Sequence, residues 1–292
     1  MIIKTFGSRG LSTQLWRIER AMYEDFGCRI LSESCKDKPN LIFCNDAACA
    51  DEALNYAKQF PDVLFIQNVL DIPWHCGEES VKNAFQHIKK AKDAGAKISV
   101  ISERVKRDVE QHGKITVSSV IYQPIQDILD SGGFSDKTYK HLYIGRARDP
   151  NKRFNIVKQA FKALEINHQE IAVIGSENPS FGDYLGVIPN YHLAYLYENC
   201  SFVWLPSFNE GIGLSMIEGL CHGKCPIIMS DNETAKEFWD YPVSSASDIQ
   251  NLIEDFENGE PNLISMIDKY RKLYQNKFSP KSVAQRILEI KK

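Results

Sequence analysis

The chain has 292 residues, of which 43% are hydrophobic and 25% are charged, and its net charge at pH 7 is −3. This composition is typical of a soluble globular protein and excludes the disordered and fibrous classes. The small negative charge disfavours a nucleic-acid partner, and no apolar run approaches the roughly 18 residues that span a bilayer. The eight cysteines show no CxxC or zinc-ribbon spacing, which favours buried free thiols in a reducing compartment. We expect a cytoplasmic protein, at most peripheral on the inner face of a membrane.

Short apolar runs alternate with amphipathic segments through the first part of the chain. The predicted strands are 1–6, 40–45, 62–68, 97–102 and 115–124, and the predicted helices are 13–26, 50–60, 79–95 and 103–113. Such alternation, with nearly continuous apolar strands, is typical of a parallel sheet covered by helices on both faces. We assign residues 1–124 to a first Rossmann-like domain and residues 125–138, which contain a Gly pair, to a linker.

The alternation restarts after the linker. The predicted strands are 141–145, 170–175, 201–206 and 225–230, and the predicted helices are 155–166, 190–200, 213–223 and 232–240. We assign residues 139–279 to a second Rossmann-like domain and expect a C-terminal helix, about 280–292, to pack back on the first. The fold class is therefore α/β, with two doubly wound parallel-sheet domains. Ligands bind at strand carboxyl ends in such sheets, so we expect a central cleft between the domains.

Two glutamates lie in the stretch SFNEGIGLSMIEG, residues 207–219, which follows a predicted strand. Glu210 precedes a Gly-Ile-Gly segment, whose backbone N–H groups can approach an anion at the start of the next helix. Glu218 lies about two turns into that helix. Ionised carboxylates accept hydrogen bonds from hydroxyl groups, so the pair suits a sugar and a ribose diol. The alternative is an exposed, glutamate-rich helix start favoured by the helix dipole.

A second motif, YIGRARDPNKRF at residues 143–154, places three cations in one loop after a predicted strand: Arg146, Lys152 and Arg153. Fixed cations of this kind can neutralise a diphosphate leaving group. Neither this loop nor the glutamate loop carries a DxD-type metal signal, so we expect cationic side chains rather than a metal ion. A solvated charge run is the alternative. The loop FGSRGLST at residues 6–13 offers Gly7 and Gly10, which alone indicate only a turn.

Together these motifs resemble the retaining glycosyltransferases of family 4, which have the GT-B fold of two Rossmann-like domains. The resemblance covers the second half of the chain most closely, through the Glu-seven-residues-Glu pattern and the GRARDPNK loop. It implies that Arg146 and Lys152 hold the donor diphosphate, that Glu210 contacts the donor sugar, and that Glu218 binds the ribose. It further implies a set of donor contacts from loops: Gly10, Val187, Gly211, Ile212, Gly213 and Leu214. Arg146, Lys152 and Glu210 are the implied catalytic residues.

The sequence departs from the family pattern at two places. A Lys-Gly pair of the family is Lys152–Arg153 here, which leaves the geometry of the loop open. The acceptor-side histidine of the family has no obvious equivalent, and Asn68 and His75 are the candidates in that region.

The resemblance implies transfer of a hexosyl group from a UDP- or GDP-sugar to a hydroxyl of a glycan or glycolipid, with retention and without metal or cofactor. Two alternatives stay open: a non-catalytic subunit that binds nucleotide sugars, and a sugar-nucleotide epimerase on the same fold. Residues 82–114 contain nine Lys or Arg against four Asp or Glu. This basic segment is either a solvated helical face or a contact with an anionic membrane.

Overall fold

The computed structural model describes residues 1–7, 12–32, 35, 37–46, 49–125 and 137–290. The chain divides into two compact units, the first formed by Met1–Ile125 with Phe278–Lys292 and the second by Gln126–Lys277. Gly10 and most of the expected linker lie outside the described residues. Every helix in the described part of the chain is too short or too polar to serve as a membrane-spanning segment.

The first unit is built on a six-stranded parallel sheet. In chain order its strands are β1 (Ile2–Phe6), β2 (Arg29–Leu31), β3 (Leu41–Cys44), β4 (Leu64–Val69), β5 (Lys97–Val100) and β6 (Ser119–Val120). The spatial order is β2-β1-β3-β4-β5-β6, and the register sets Ile3 opposite Leu41 and Phe6 opposite Cys44. The helices of this part are α1 (Ser12–Glu24), α2 (Ala50–Ala57), α3 (Glu78–Asp93) and α4 (Glu103–Gln111).

The second unit is built on a five-stranded parallel sheet. Its strands are β7 (His141–Ile144), β8 (Ile171–Ile174), β9 (Asp183–Gly186), β10 (Phe202–Leu205) and β11 (Cys225–Ile228), in the spatial order β11-β10-β7-β8-β9. Its helices are α5 (Phe154–Ala163), α6 (Asn190–Glu198), α7 (Leu214–Cys221), α8 (Ala246–Glu257) and α9 (Pro261–Lys277). Strands β7, β8, β10 and β11 are almost completely buried, as expected for a sheet covered on both faces.

The last helix, α10 (Pro280–Glu289), belongs to the first unit although it follows the second in sequence. Its apolar residues Val283, Ala284 and Ile287 lie in one core cluster with Ile18 and Met22 of α1. Ser279 caps the helix by accepting a hydrogen bond from the Ser282 N–H at 3.2 Å, and Pro280 occupies the first turn, where no N–H is needed. The amphipathic C-terminal helix thus completes a core cluster whose first member in the chain is Ile3.

Four elements differ from the sequence-based expectation. The short strands β2 and β9 were not predicted, because neither forms a continuous apolar run, and both lie at sheet edges where only one neighbour must be matched. The predicted strand 115–124 pairs only at Ser119–Val120. The predicted helix 232–240 contains only a 3₁₀ turn, Ala235–Glu237, with Phe238 and Trp239 buried directly after it.

Candidate active site

The basic loop and the glutamate loop are neighbours in the second unit. Strands β7 and β10 pair in parallel, with Tyr143 opposite Trp204, so the loops that follow them leave the same edge of the sheet. Asn151 joins the two loops in both directions: its Nδ2 donates to the Asn209 carbonyl at 2.8 Å, and its Oδ1 accepts from the Asn209 N–H at 2.9 Å. The topology therefore brings together residues that are 58 positions apart in sequence.

A third loop, after β11, is attached to the same assembly. Arg153 forms a bidentate ion pair with Asp231, at 2.6 and 2.7 Å, and donates through Nε to the Pro206 carbonyl at 2.8 Å. The Arg153 guanidinium is the main cause that holds the pKa of Asp231 below its ordinary value. Thr234, which is buried, donates through Oγ1 to the Glu210 carbonyl at 2.5 Å. The loop that carries Glu210 is thus held from two sides.

Lys152 and Glu210 form the central ion pair of the site. Lys152 Nζ lies 2.5 Å from Glu210 Oε1, and the two side chains are 23% and 14% exposed. Arg146, on the same loop as Lys152, pairs with Asp149 at 2.6 Å, but its side chain is 64% exposed. Two of the three predicted cations therefore lie where an anionic ligand can meet them, one beside a carboxylate and one reaching into solvent.

Arg153, the third cation of the motif, binds other residues of the loops: its side chain is hydrogen-bonded to Asp231 and to the Pro206 carbonyl. Its backbone is left-handed, with φ of 45°, a conformation that favours glycine. This is the position at which the resemblance leads one to expect glycine. A glycine would adopt this left-handed conformation without strain. Here the three hydrogen bonds of the Arg153 side chain stabilise the turn, which leads directly into α5.

Helix α7 presents its first turn to the glutamate loop. Gly213 caps the helix with φ of 71°, and a Cβ at this position would lie 2.8 Å from Leu205 Cδ2, so both backbone conformation and space require glycine. The first N–H groups of a helix have no intrahelical partner, and they carry the positive end of the dipole. Ile212 is buried, so only its backbone is available to a ligand, whereas Gly211 and Leu214 are half-buried.

Glu218 is half-buried on α7 and is oriented by a tyrosine. The Tyr197 hydroxyl of α6 lies 3.0 Å from Glu218 Oε2 and 3.2 Å from the Ser215 carbonyl. Burial, and secondarily the charge of Glu218, raises the pKa of Tyr197 well above its ordinary value, so this hydroxyl stays a donor. The Tyr197 ring in turn stacks on His222 at 5.3 Å. Glu218 is therefore a fixed acceptor rather than a freely moving surface side chain.

Val187 follows β9 and is 77% exposed. Because β9 runs parallel to β8 at the edge of the same sheet, its carboxyl end lies on the same side as those of β7 and β10. Gly186, with φ of 70°, turns the chain at that point. Val187 is therefore exposed at the carboxyl edge of the sheet, the edge from which the basic loop and the glutamate loop also leave.

The residues expected on the acceptor side lie in the first unit. Asn68 is fully buried at the end of β4, where it donates to Asn45 Oδ1 at 3.0 Å and accepts from the Ser99 hydroxyl at 2.9 Å. The Asn68 side chain is therefore shielded from solvent in this structure. His75 lies in an exposed 3₁₀ turn, Trp74–Cys76.

Sequence reasoning missed several residues that build the site: Asn151, Asp231, Thr234 and Tyr197. All of them act through contacts between loops or helices that are distant in sequence. A polar side chain of this kind has no local signal, apart from the Asp149-Pro150 pair that begins the 3₁₀ turn in which Asn151 lies.

The sequence matches no protein-family model and no curated protein. Three similar solved structures share its fold at low identity. Sucrose-phosphate synthase from Thermosynechococcus elongatus gives a TM-score of 0.67 at 15% identity, over 96% of this chain and 78% of that one. WaaG, a glycosyltransferase involved in lipopolysaccharide biosynthesis, gives 0.65 at 10% identity, over 99% and 100% of the two chains. A glycosyltransferase from Rickettsia africae gives 0.64 at 12% identity, over 99% and 97%. These likenesses confirm the predicted fold class: the chain has the GT-B fold, with two parallel-sheet α/β domains.

Proposed function

We propose that the protein is a retaining glycosyltransferase that moves a hexosyl group from a UDP- or GDP-sugar to a hydroxyl of a glycan or glycolipid. The observation that carries the proposal is the Lys152–Glu210 pair, with Arg146 on the same loop as Lys152, at the carboxyl ends of adjacent strands of a GT-B fold. The cations can bind a diphosphate, and the carboxylate can accept hydrogen bonds from sugar hydroxyls.

The reaction breaks the bond between the anomeric carbon and the diphosphate oxygen and forms a bond from that carbon to the acceptor oxygen on the same face. Negative charge grows on the leaving diphosphate, and Arg146 and Lys152 stabilise it without reorganising solvent. The acceptor proton passes to a phosphate oxygen of the leaving group, so no protein base is required. We propose that these two cations act in place of a metal ion.

The remaining contacts follow from the first turn of α7 and from two further residues. Backbone N–H groups of Gly211–Leu214 support the sugar and the phosphates. Glu218, fixed by Tyr197, accepts hydrogen bonds from the ribose hydroxyls. Val187 lies against the base.

A thermal-shift panel of UDP-, GDP- and ADP-sugars, with and without EDTA, tests the proposal, because a ligand that binds only the folded state raises the melting temperature. A shift with one base class, followed by release of free nucleotide on addition of an acceptor, is the expected result. Binding without any turnover would favour the non-catalytic subunit, and conversion of the sugar without nucleotide release would favour the epimerase. No shift with any sugar nucleotide would contradict all three.

Glu218→Ala is expected to raise the donor KM about tenfold with little change in kcat, since a lost hydrogen bond to a charged group is worth about 1.5–3 kcal/mol. The Tyr197 hydroxyl keeps the Ser215 carbonyl within reach, so the fold should survive. Steady-state kinetics with the donor selected by the panel measure the effect. Glu254→Ala, a substitution of an exposed residue on α8, is the control. A wild-type KM for Glu218→Ala would show that Glu218 does not bind the ribose.

We propose further that the basic segment 82–114 contacts an anionic membrane surface. Its exposed cations are Lys82, Lys89, Lys90, Lys92, Arg107 and Lys114. Arg104 is instead buried and paired with Asp71 and Asp108, so it belongs to the structure of the unit. Each exposed cation near an anionic bilayer contributes about 1 kcal/mol.

Sedimentation with vesicles measures this contact. We expect binding to phosphatidylglycerol vesicles but not to phosphatidylcholine vesicles, and loss of binding in Lys89→Glu with Lys92→Glu. The same reversal at Lys269 and Lys272, which are exposed on α9, is the control. Equal binding by both double variants would refute a membrane role for the basic segment.

A further inference from the structure

The two members of the central ion pair, Lys152 and Glu210, are each preceded by an asparagine, and these asparagines are bonded to one another. Asn151 comes directly before Lys152, and Asn209 comes directly before Glu210. The Asn151 side chain donates through Nδ2 to the Asn209 carbonyl at 2.8 Å and accepts through Oδ1 from the Asn209 N–H at 2.9 Å. The Asn151 carbonyl accepts a third hydrogen bond, from the Phe208 N–H at 2.9 Å. The ion pair therefore lies immediately beside a three-bond connection between its two loops.

The side chain of Asn151 is suited to this connection and not to a ligand. It is 9% exposed, and both of its amide groups are bonded to Asn209. An amide carries an acceptor and a donor side by side, which is what the N–H and the carbonyl of one backbone residue require. The Asn151 N–H donates to Asp149 Oδ1 at 2.9 Å and so fixes the 3₁₀ turn in which Asn151 lies.

The glutamate loop is also held by the loop after β11. Asn232, which is fully buried, donates through Nδ2 to the Ser207 carbonyl at 2.9 Å, and Thr234 donates to the Glu210 carbonyl. These two bonds do not involve Asn151, so the glutamate loop should keep its place when the Asn151 side chain is removed. The contribution of the Asn151 amide is to fix the basic loop relative to the glutamate loop.

We propose that Asn151 is a positioning residue, whose amide sets the distance between Lys152 and Glu210 before the donor binds. Its effect on the reaction rests on the proposed function. Arg153 also links the two loops, but its bond to the Pro206 carbonyl lies four residues before Glu210. Close positioning matters because a displacement of about 1 Å can lower the rate of a reaction by about 10²-fold. Asn151 acts through the ion pair and does not touch the ligand.

Asn151→Ala should lower the kcat for donor hydrolysis about tenfold, because Lys152 and Glu210 lose their fixed spacing. The donor is the sugar nucleotide that gives the largest thermal shift among UDP-glucose, UDP-galactose, GDP-mannose and ADP-glucose. Tyr139→Phe is the matched control and should leave kcat unchanged. It removes a hydrogen bond from a buried side chain to Asp183, at the amino ends of β7 and β9, which is the opposite edge of the same sheet.

A second measurement reports the placement of the ion pair without any ligand. Urea unfolding of Lys152→Ala, Glu210→Ala and the double variant gives the coupling free energy between the two side chains. This coupling should fall well below the wild-type value in an Asn151→Ala background and stay at that value in a Tyr139→Phe background. A purely structural role for Asn151 would lower the stability of every variant alike and leave the coupling unchanged. Asn151→Ser, which keeps a smaller polar group, replaces Asn151→Ala in both measurements if the alanine variant does not fold.

The outcomes distinguish this inference from the proposed function. If the wild type hydrolyses the donor but Asn151→Ala leaves either kcat or the coupling unchanged, the role of Asn151 is refuted and the proposed function stands. Absence of any coupling in the wild type would refute the role of Asn151 as well. If the coupling falls but the wild type neither binds nor hydrolyses any of the four sugar nucleotides, the proposed function is refuted, and only the placement of the ion pair by Asn151 stands.

Discussion

Lys152→Ala is expected to lower the rate of sugar transfer at least tenfold, and by about 10²-fold if Lys152 stabilises the leaving group as fully as a single preorganised donor does in other enzymes. The reason is its place in the site: the ammonium group lies 2.5 Å from Glu210 and is only 23% exposed, so a diphosphate that displaces the carboxylate meets a cation largely shielded from water. Electrostatic interactions gain strength where water is excluded. Arg146, which is 64% exposed, is better placed to attract the anion than to replace Lys152.

Kinetics of donor hydrolysis and of transfer measure this effect, with Lys162→Ala as the matched control. Lys162 is an exposed lysine at the end of α5, the helix that follows the basic loop. Because Lys152→Ala also removes the ion pair with Glu210, urea unfolding must show that the variant is folded at the assay temperature. A wild-type rate in a folded Lys152→Ala protein would exclude leaving-group stabilisation by this residue.

The fold could be predicted because its signal is repeated. Strands such as β3 and β10 are short apolar runs buried on both faces, and each is followed by a helix that buries its apolar residues, so local pattern and tertiary burial agree. Strand β9 breaks the rule. Its residues are half-buried at an edge of the sheet, where a polar sequence is tolerated and no apolar run is required.

The site could be predicted only in part, because topology brings its loops together while side chains decide their contacts. The order of the strands is enough to place Lys152 and Glu210 at one edge. The ion pair between Arg153 and Asp231 depends on a left-handed turn and on a carboxylate that is distant in sequence. Neither feature has a local signal. Asn68, a candidate only from its place in the region where the family has an acceptor-side histidine, lies in a buried hydrogen-bond network that has no local signal in the sequence.

Gly175→Ala is expected to lower the free energy of unfolding by about 3 kcal/mol, the size typical of a forced backbone displacement in a packed region. A Cβ at this position would lie 2.1 Å from the Gly145 carbonyl oxygen. Neither backbone can yield easily, since Gly145 donates to the Ile174 carbonyl at 2.9 Å and Gly175 donates to the Gly186 carbonyl at 3.0 Å. The contact between Gly145 and Gly175, just beyond the ends of β7 and β8, therefore admits only glycine at position 175.

The effect of Gly175→Ala should reach the active site as well, because Gly145 immediately precedes Arg146. Urea unfolding gives the change in stability, and thermal shift with the selected sugar nucleotide gives the change in binding. Gly259→Ala is the control: its φ of 68° also disfavours alanine, but no atom lies within 4 Å of the added Cβ. It should therefore cost only the backbone penalty of about 1–2 kcal/mol and leave the shift intact. Equal losses of stability in the two variants would mean that the backbones at Gly145 and Gly175 can move apart without cost. The basic loop that follows Gly145 would then not depend on their close contact.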